Sequence, residues 1–171
     1  MTDVTEIGTY RRLFDDKYAE LDQILAGLPA EALLWKPAPG DDIAGAGWLL
    51  GHGISSTVFL LKRAEWVMGR IDWKEIQGDQ GKEEFTEANH DSEQMRARAR
   101  RTQEYVHGFL AGLSASDLDS SRPHAKRPEL VFTARFEIQH AIEHLSQHLG
   151  HAGITRQLWE KQAKADEIAT R

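Results

Sequence analysis

Four separate stretches of this chain read as helix, the first and third from apolar side chains recurring at steps of three and four, and no stretch shows a convincing step-of-two alternation of a half-buried strand. From about residue 5 to 28, Tyr10, Leu13, Phe14, Tyr18, Leu21, Ile24, Leu25 and Leu28 mark one helical face, with Arg11, Arg12, Asp15, Asp16, Lys17 and Glu20 mostly between them. Gly27 and Pro29 close that helix, and the breakers from Pro37 to Gly40, with Asp41 and Asp42, leave room for one short helical turn around Ala30 to Leu33. From roughly Gly45 to Gly69 the chain is apolar on nearly every side (Trp48, Leu49, Leu50, Ile54, Val58, Phe59, Leu60, Leu61, Trp66, Val67), which predicts a largely buried second helix.

Residues 70 to 90 hold Gly78, Gly81 and few apolar side chains, so they read as the longest loop. Asp91, with Gln94 three residues on, is a good N-cap for a third helix from about Ser92 to Leu113, whose buried face is Met95, Ala99, Thr102, Val106, Phe109 and Leu113. Serines, Pro123 and Pro128 then mark a second connection, and from about Leu130 to Lys161 a proline-free run predicts a long fourth helix, with residues 162–171 extending it or fraying. The expectation is an all-α, four-helix bundle with β content close to nil, in which the long links 29–44 and 114–130 serve as crossovers between helices that are not simple hairpins. At 171 residues the chain reads as a single domain, 1–171.

Composition narrows the function. The absence of cysteine removes disulfides, thiolate metal ligands, iron–sulfur clusters and a cysteine nucleophile, so any metal must be held by His, Asp or Glu. The apolar run of the second helix is broken by His52, Ser55, Ser56 and Lys62, and no membrane span is expected. MTDVTEIGTYRR lacks the basic and apolar regions of a secretory signal, which leaves a cytoplasmic location as the expectation. A net charge of −6 gives no general attraction to nucleic acid, and the run Arg96, Arg98, Arg100 and Arg101, interleaved with Glu93 and Glu104, reads as a solvated helix face. There is no Gly-rich phosphate loop, HExxH or GxSxG.

The histidines carry the chemical signal. Four of the eight, His140, His144, His148 and His151, fall within twelve positions of the fourth helix. At about 100° per residue they lie near 0°, 40°, 80° and 20°, all on one face. An i, i+4 pair of imidazoles can reach one ion at about 2.0–2.1 Å. The helix offers two such pairs, His140 with His144 and His144 with His148, and spacing does not choose between them. His52 is the best third donor: it sits in the most apolar helix, where an imidazole without a partner is costly, and Gly51 and Gly53 allow close approach of another helix. The ordinary reading of a lone buried histidine is a hydrogen-bonded core residue; the run of four at helical spacing shifts the balance toward a metal.

The helix Gly47-Trp48-Leu49-Leu50-Gly51-His52, followed far down the chain by His144-x-x-x-His148-x-Gly150-His151 and then Arg156, resembles the DinB/YfiT-like superfamily of small four-helix proteins. The resemblance implies that His52, His144 and His148 bind a divalent metal, with His140 and His151 as neighbouring cavity residues. Three neutral imidazoles leave coordination positions open, as catalytic sites do, and suit Zn²⁺, Ni²⁺, Cu²⁺ or Fe²⁺ without choosing among them. Such an ion can polarise an oxygen or lower the pKa of a bound water or thiol. Relatives of this kind include transferases that use mycothiol or bacillithiol and metal-dependent hydrolases, so the resemblance implies a small-molecule substrate, a low-molecular-weight thiol among the candidates, and a homodimer. The second helix, apolar on too many sides for three short neighbours to cover, points to a dimer as well. The alternative is a non-catalytic, stress-related metal or ligand binder built on the same bundle. Catalytic residues are not identified: Glu137, Glu143 and Arg156 lie near the motif and could act as base or anion anchor, but charged residues on a long helix are usually solvated or paired.

Overall fold

The computed structural model describes residues 5–38, 44–78, 90–124 and 126–169. Its four long helices are α1 (Glu6–Leu25), α3 (Ala46–Val67), α5 (Ser92–Ala111) and α6 (Ala134–Ala169), with short helices α2 (Ala30–Leu34) and α4 (Trp73–Gly78) between them and a hairpin of β1 (Ser121–His124) and β2 (Arg127–Thr133) before α6. Caps fix the starts. Thr5 accepts from the Gly8 N–H at α1, Asp91 accepts from the N–H groups of Glu93 and Gln94 at α5, and Thr133 Oγ1 accepts from the Phe136 N–H at α6. Breaker-rich residues 39–43, with Asp41 and Asp42, and residues 79–89 of the long loop lie outside the described residues.

Each long helix packs on two others, in the ring α1–α6–α3–α5, and α3 with α6 forms the most extensive pairing. Side-chain contacts give the directions. Arg135 meets Glu6 and Arg156 meets the carbonyls of Gln23 and Ile24, so α1 and α6 run parallel. Gln103 meets Asp15 while Arg96 meets Asp22, so α1 and α5 are antiparallel. Arg63 meets Glu137 across α3 and α6, which are therefore antiparallel with His52 near His148, and Arg98 and Tyr105 of α5 meet Ser55 and Glu65 of a parallel α3. The links expected as crossovers join helices diagonal in the ring, whereas the parallel neighbours α3 and α5 are joined by the link 68–91.

The core runs down the centre of this ring, with Phe14, Leu25, Leu50, Leu61, Val106, Ile138 and Leu149 wholly buried. Coverage of α3 is supplied within the chain itself by α6, α5, α2, α4 and the hairpin, leaving Trp48 as its exposed large apolar residue. Among the described residues no helix is long and apolar enough to cross a membrane.

Three features correct the sequence reading. Ser121–His124 and Arg127–Thr133 pair as a two-stranded antiparallel sheet, with Arg122 opposite Phe132, where β content close to nil was expected, and α6 begins at Ala134 instead of Leu130. Tertiary contacts hold this hairpin: the Arg122 guanidinium lies 4.5 Å from the Trp66 ring and donates to the Trp66 carbonyl at 2.7 Å, and Phe132 meets the edge of Trp66. Arg98 is not on a solvated face; it is 7% exposed and bonded to Ser55 of α3. Within residues 70–90, expected as loop, Trp73–Gly78 forms the short helix α4; of the two alternatives left open for the tail, residues 162–169 continue α6 as exposed helix.

Candidate metal centre

Two helices build the site. On α3, Trp48, His52 and Ser56 recur at i, i+4 and i+8 and share one face; on α6, His144 and His148 do the same. The close approach that brings them together is at Gly53, where a Cβ would lie 3.2 Å from both His148 Cβ and Leu145 Cδ1, tighter than helices normally tolerate. The absence of a side chain at residue 53 lets α6 settle against α3 at the turn that carries His52.

The rings of His52, His144 and His148 form a nearly equilateral triangle, with centroids 5.2 Å apart for His52 and His144, 4.7 Å for His52 and His148 and 4.6 Å for His144 and His148. One nitrogen from each lies within 4.8 Å of the other two, and all three side chains are half-buried. Trp48 stacks on His52 at 5.0 Å with planes 9° apart, and Ser56 Oγ lies 3.4 Å from His52 Nε2, so His52 is held on both sides. His140 sits one turn away, its ring 5.9 Å from that of His144 and 5.4 Å from Phe136, while His151 is exposed at 6.4 Å from His148. The structure thus brings together His52, His144 and His148 and leaves His140 and His151 at the margins.

The donor set fits a divalent cation on two observations. Nδ1 of His148 is buried with no hydrogen-bond partner among the described residues, which is costly unless something outside the chain meets it. Burial, with the neighbouring charges of His144, His52 and His151, also pushes the His148 imidazole down from near 6.5 to about 4, so it is neutral at pH 7 and its lone pair is available. A histidine whose folded pKa is depressed contributes stability above its unfolded pKa that is lost as pH falls toward the folded value. In chelator, the urea midpoint is therefore expected to fall as pH drops from about 6.5 to 4, and His148→Gln to flatten part of that slope. An unchanged slope in the variant would contradict this assignment.

The other residues near the motif have structural duties. Arg156 donates to the Gln23 and Ile24 carbonyls at the end of α1 and pairs with Glu160 at 2.7 Å, and Glu143 is exposed. Glu137 is wholly buried and paired with Arg63. His107 pairs with Asp15 at 2.6 Å, and His124 packs on Trp73 in the hairpin. Sequence reasoning passed over Ser56 and Arg63; the signal was present, since both fall within about 40° of His52 on α3.

The sequence profile of the DinB superfamily matches residues 13–152. No curated protein matches the chain. Among solved structures, a conserved protein from Enterococcus faecalis, 14% identical, superposes with a TM-score of 0.63 over 91% of this chain and 98% of its own, a likeness of fold alone.

Proposed function

The chain belongs to the DinB superfamily, and on that footing we propose that His52, His144 and His148 hold a divalent metal ion in a metal-dependent enzyme that transfers a low-molecular-weight thiol to an electrophile, with metal-assisted hydrolysis as the nearest variant. The observation that carries it is the convergence of three imidazoles from two antiparallel helices within 4.8 Å on a partly open face. When bound, an ion in a three-imidazole set supplies Lewis acidity with coordination positions left for a substrate oxygen or sulfur. The chain's own residues do the rest. Trp48 and Ser56 orient His52, the half-buried His148 stays neutral, and Phe136 beside His140 gives an incoming molecule an apolar surface. A chain without cysteine must take its thiol from solution.

Purified protein assayed with zinc, nickel or iron, a small thiol and a panel of electrophiles tests this reading. Metal-dependent turnover abolished by His148→Ala supports it; stoichiometric binding with no turnover would leave a non-catalytic metal or ligand binder. The proposal includes a cytoplasmic homodimer acting on a small molecule; a monomer's mass by light scattering at micromolar concentration would remove the dimer, and fractionation of the source cells tests the location.

Metal binding should also register in stability. An ion that binds only the folded chain stabilises it by about 2.7 kcal/mol at a hundredfold excess over Kd, which for a chain of this size is roughly 5–10 °C in Tm. Chelation is expected to lower Tm by that amount. His52→Ala should erase the difference between loaded and stripped protein while leaving a folded bundle, and a chelation shift that survives in the variant would exclude His52 from the site.

A further inference from the structure

α6 carries apolar side chains on two opposite sides. With His140 as zero, its buried residues Ile138, Leu145 and Leu149 lie at about 140–180° on the helical wheel, while Phe136, Ile154 and Leu158 lie between about −40° and 0°. These three face outward, 54%, 57% and 43% exposed, on a helix otherwise covered by α1 and α3. Large apolar side chains left in water at the centre of a helix face forgo the gain of burial, and such patches mark association surfaces. α3, whose apolar sequence pointed to a partner, is covered by the chain itself, so the helix face that a partner would cover is on α6.

The order of residues along this face identifies what covers it. Phe136 stands at one end, Ile154 and Leu158 at the other, and Glu143, Gln147 and His151 between them, with Gln147 midway from Phe136 to Leu158. A two-fold axis at Gln147 turns this stripe onto itself, as a contact between identical copies requires. Two α6 helices packed antiparallel about that axis set Phe136 against the partner's Leu158, His140 against the partner's Ile154 and Glu143 against the partner's His151, a carboxylate facing an imidazole. Packed parallel and in register they would set Glu143 against its own copy, a like-charge contact that is costly. Length fits as well. Residues 161–169 are exposed helix beyond the contact of Arg156 with the end of α1, and in the antiparallel pair they run past the start of the partner's α6. From Phe136 to Ile168 the helix is about 48 Å long and about 10 Å across. A strip of that size is about 500 Å² on each copy and about 1,000 Å² in all, the lower bound for a specific interface.

We infer that the outward face of α6, from Phe136 to Leu158, is the surface on which a second copy of this chain docks, antiparallel and two-fold about Gln147. This gives the homodimer proposed for the chain its interface and rests on that dimer, not on the ion. The Phe136 ring still borders His140, 5.4 Å away, so a molecule at the three imidazoles would lie close to the partner's Ile154.

The chain has no cysteine, so one introduced thiol is unique. Gln147→Cys treated with a short bis-maleimide is expected to give a cross-linked dimer on a denaturing gel, whereas Asp16→Cys, exposed on α1, should not. By sedimentation, Ile154→Glu is expected to raise the dimer dissociation constant about a hundredfold, because a two-fold contact loses the side chain twice. Its far-UV circular dichroism should match the parent, since the side chain lies outside the core. If the parent sediments as a dimer but Gln147→Cys does not cross-link, or Ile154→Glu leaves the dissociation constant unchanged, the copies meet elsewhere: the inference falls and the dimer stands. A parent that sediments as a monomer at micromolar concentration overturns both. Zinc titration of Ile154→Glu tests the three-imidazole site separately from the dimer.

Discussion

Arg63→Met is expected to cost about 3–5 kcal/mol of stability at pH 7, a fall in Tm of roughly 10 °C or more, because it leaves the buried carboxylate of Glu137 without its charge partner. Glu137 is 0% exposed, and among the described residues its charge partner is Arg63, whose Nε and Nη2 both reach Oε2. The lost guanidinium also packs 4.7 Å from the Phe132 ring and 5.6 Å from Phe59, tying the hairpin to α3, so contacts to β2 go with it. Burial already holds the Glu137 carboxyl above its ordinary range, and Arg63 is the largest influence pulling it back. Without Arg63 the folded pKa climbs further above the unfolded value near 4.5. A carboxyl raised in the folded state binds more protons folded than unfolded, so the variant loses stability as pH rises through that window and recovers it as pH falls toward 4.5. Urea denaturation at pH 5 and pH 7 checks this: the deficit relative to the parent protein should be smaller at pH 5. Arg63→Met/Glu137→Met should restore most of the loss, since an apolar pair of similar volume replaces a buried ion pair at little or no cost. A deficit under about 1 kcal/mol at pH 7 would mean that water reaches the pair and that it has the small worth of a surface bridge.

What the sequence made legible follows how locally each feature is determined. The four long helices could be read from local signals, a 3.6-residue apolar period in the first and third, an all-round apolar run in the second and a proline-free run in the fourth, and Asp91 could be assigned as a cap because a cap acts over three residues. The short turn at Ala30–Leu34 was legible for the same reason. The hairpin was not. Its strands are four and seven residues long, contain Pro123 and Pro128, and depend on Trp66 and Trp73, which lie about fifty residues earlier in the chain. Tertiary contact overrode a local pattern that read as loop. Arg98 was misread for a related reason: a helical wheel gives its angle, but only the neighbouring helix supplies Ser55, which makes burial of a guanidinium tolerable.

The candidate site shows the same division. That four histidines share a face of α6 is a property of one helix and could be read from spacing. That Glu137 is buried opposite Arg63, while Arg156 is spent on the end of α1, depends on the packing of helices far apart in sequence. Nothing in the spacing separates a carboxylate buried against a guanidinium from one that faces water. The residues alone also left both i, i+4 histidine pairs open, and it is the relative register of α3 and α6 that distinguishes them.

That register makes a sharp prediction for metal binding. Position 53 is where α3 and α6 approach most tightly against His148, and moving back along α3 by one residue places the His52 ring 4.7 Å from that of His148. Because the helices are antiparallel, one turn back along α6 sets His144 at 5.2 Å from His52, and a second turn carries His140 toward Phe136, beyond His144. His148→Ala is therefore expected to take zinc binding below detection by calorimetry, since it removes one of three donors. His140→Ala should keep a stoichiometry of one, with a loss no larger than the roughly 10- to 100-fold typical of residues that only support the ligands. Both variants should keep the parent's far-UV circular dichroism, because neither ring carries the packing of α6, which rests on Ile138, Leu145 and Leu149. The reverse pattern, with His140→Ala abolishing binding and His148→Ala sparing it, would require the used pair to be His140 and His144. It would place the ion one helical turn closer to Glu137 and make the tight contact at Gly53 a matter of helix packing alone.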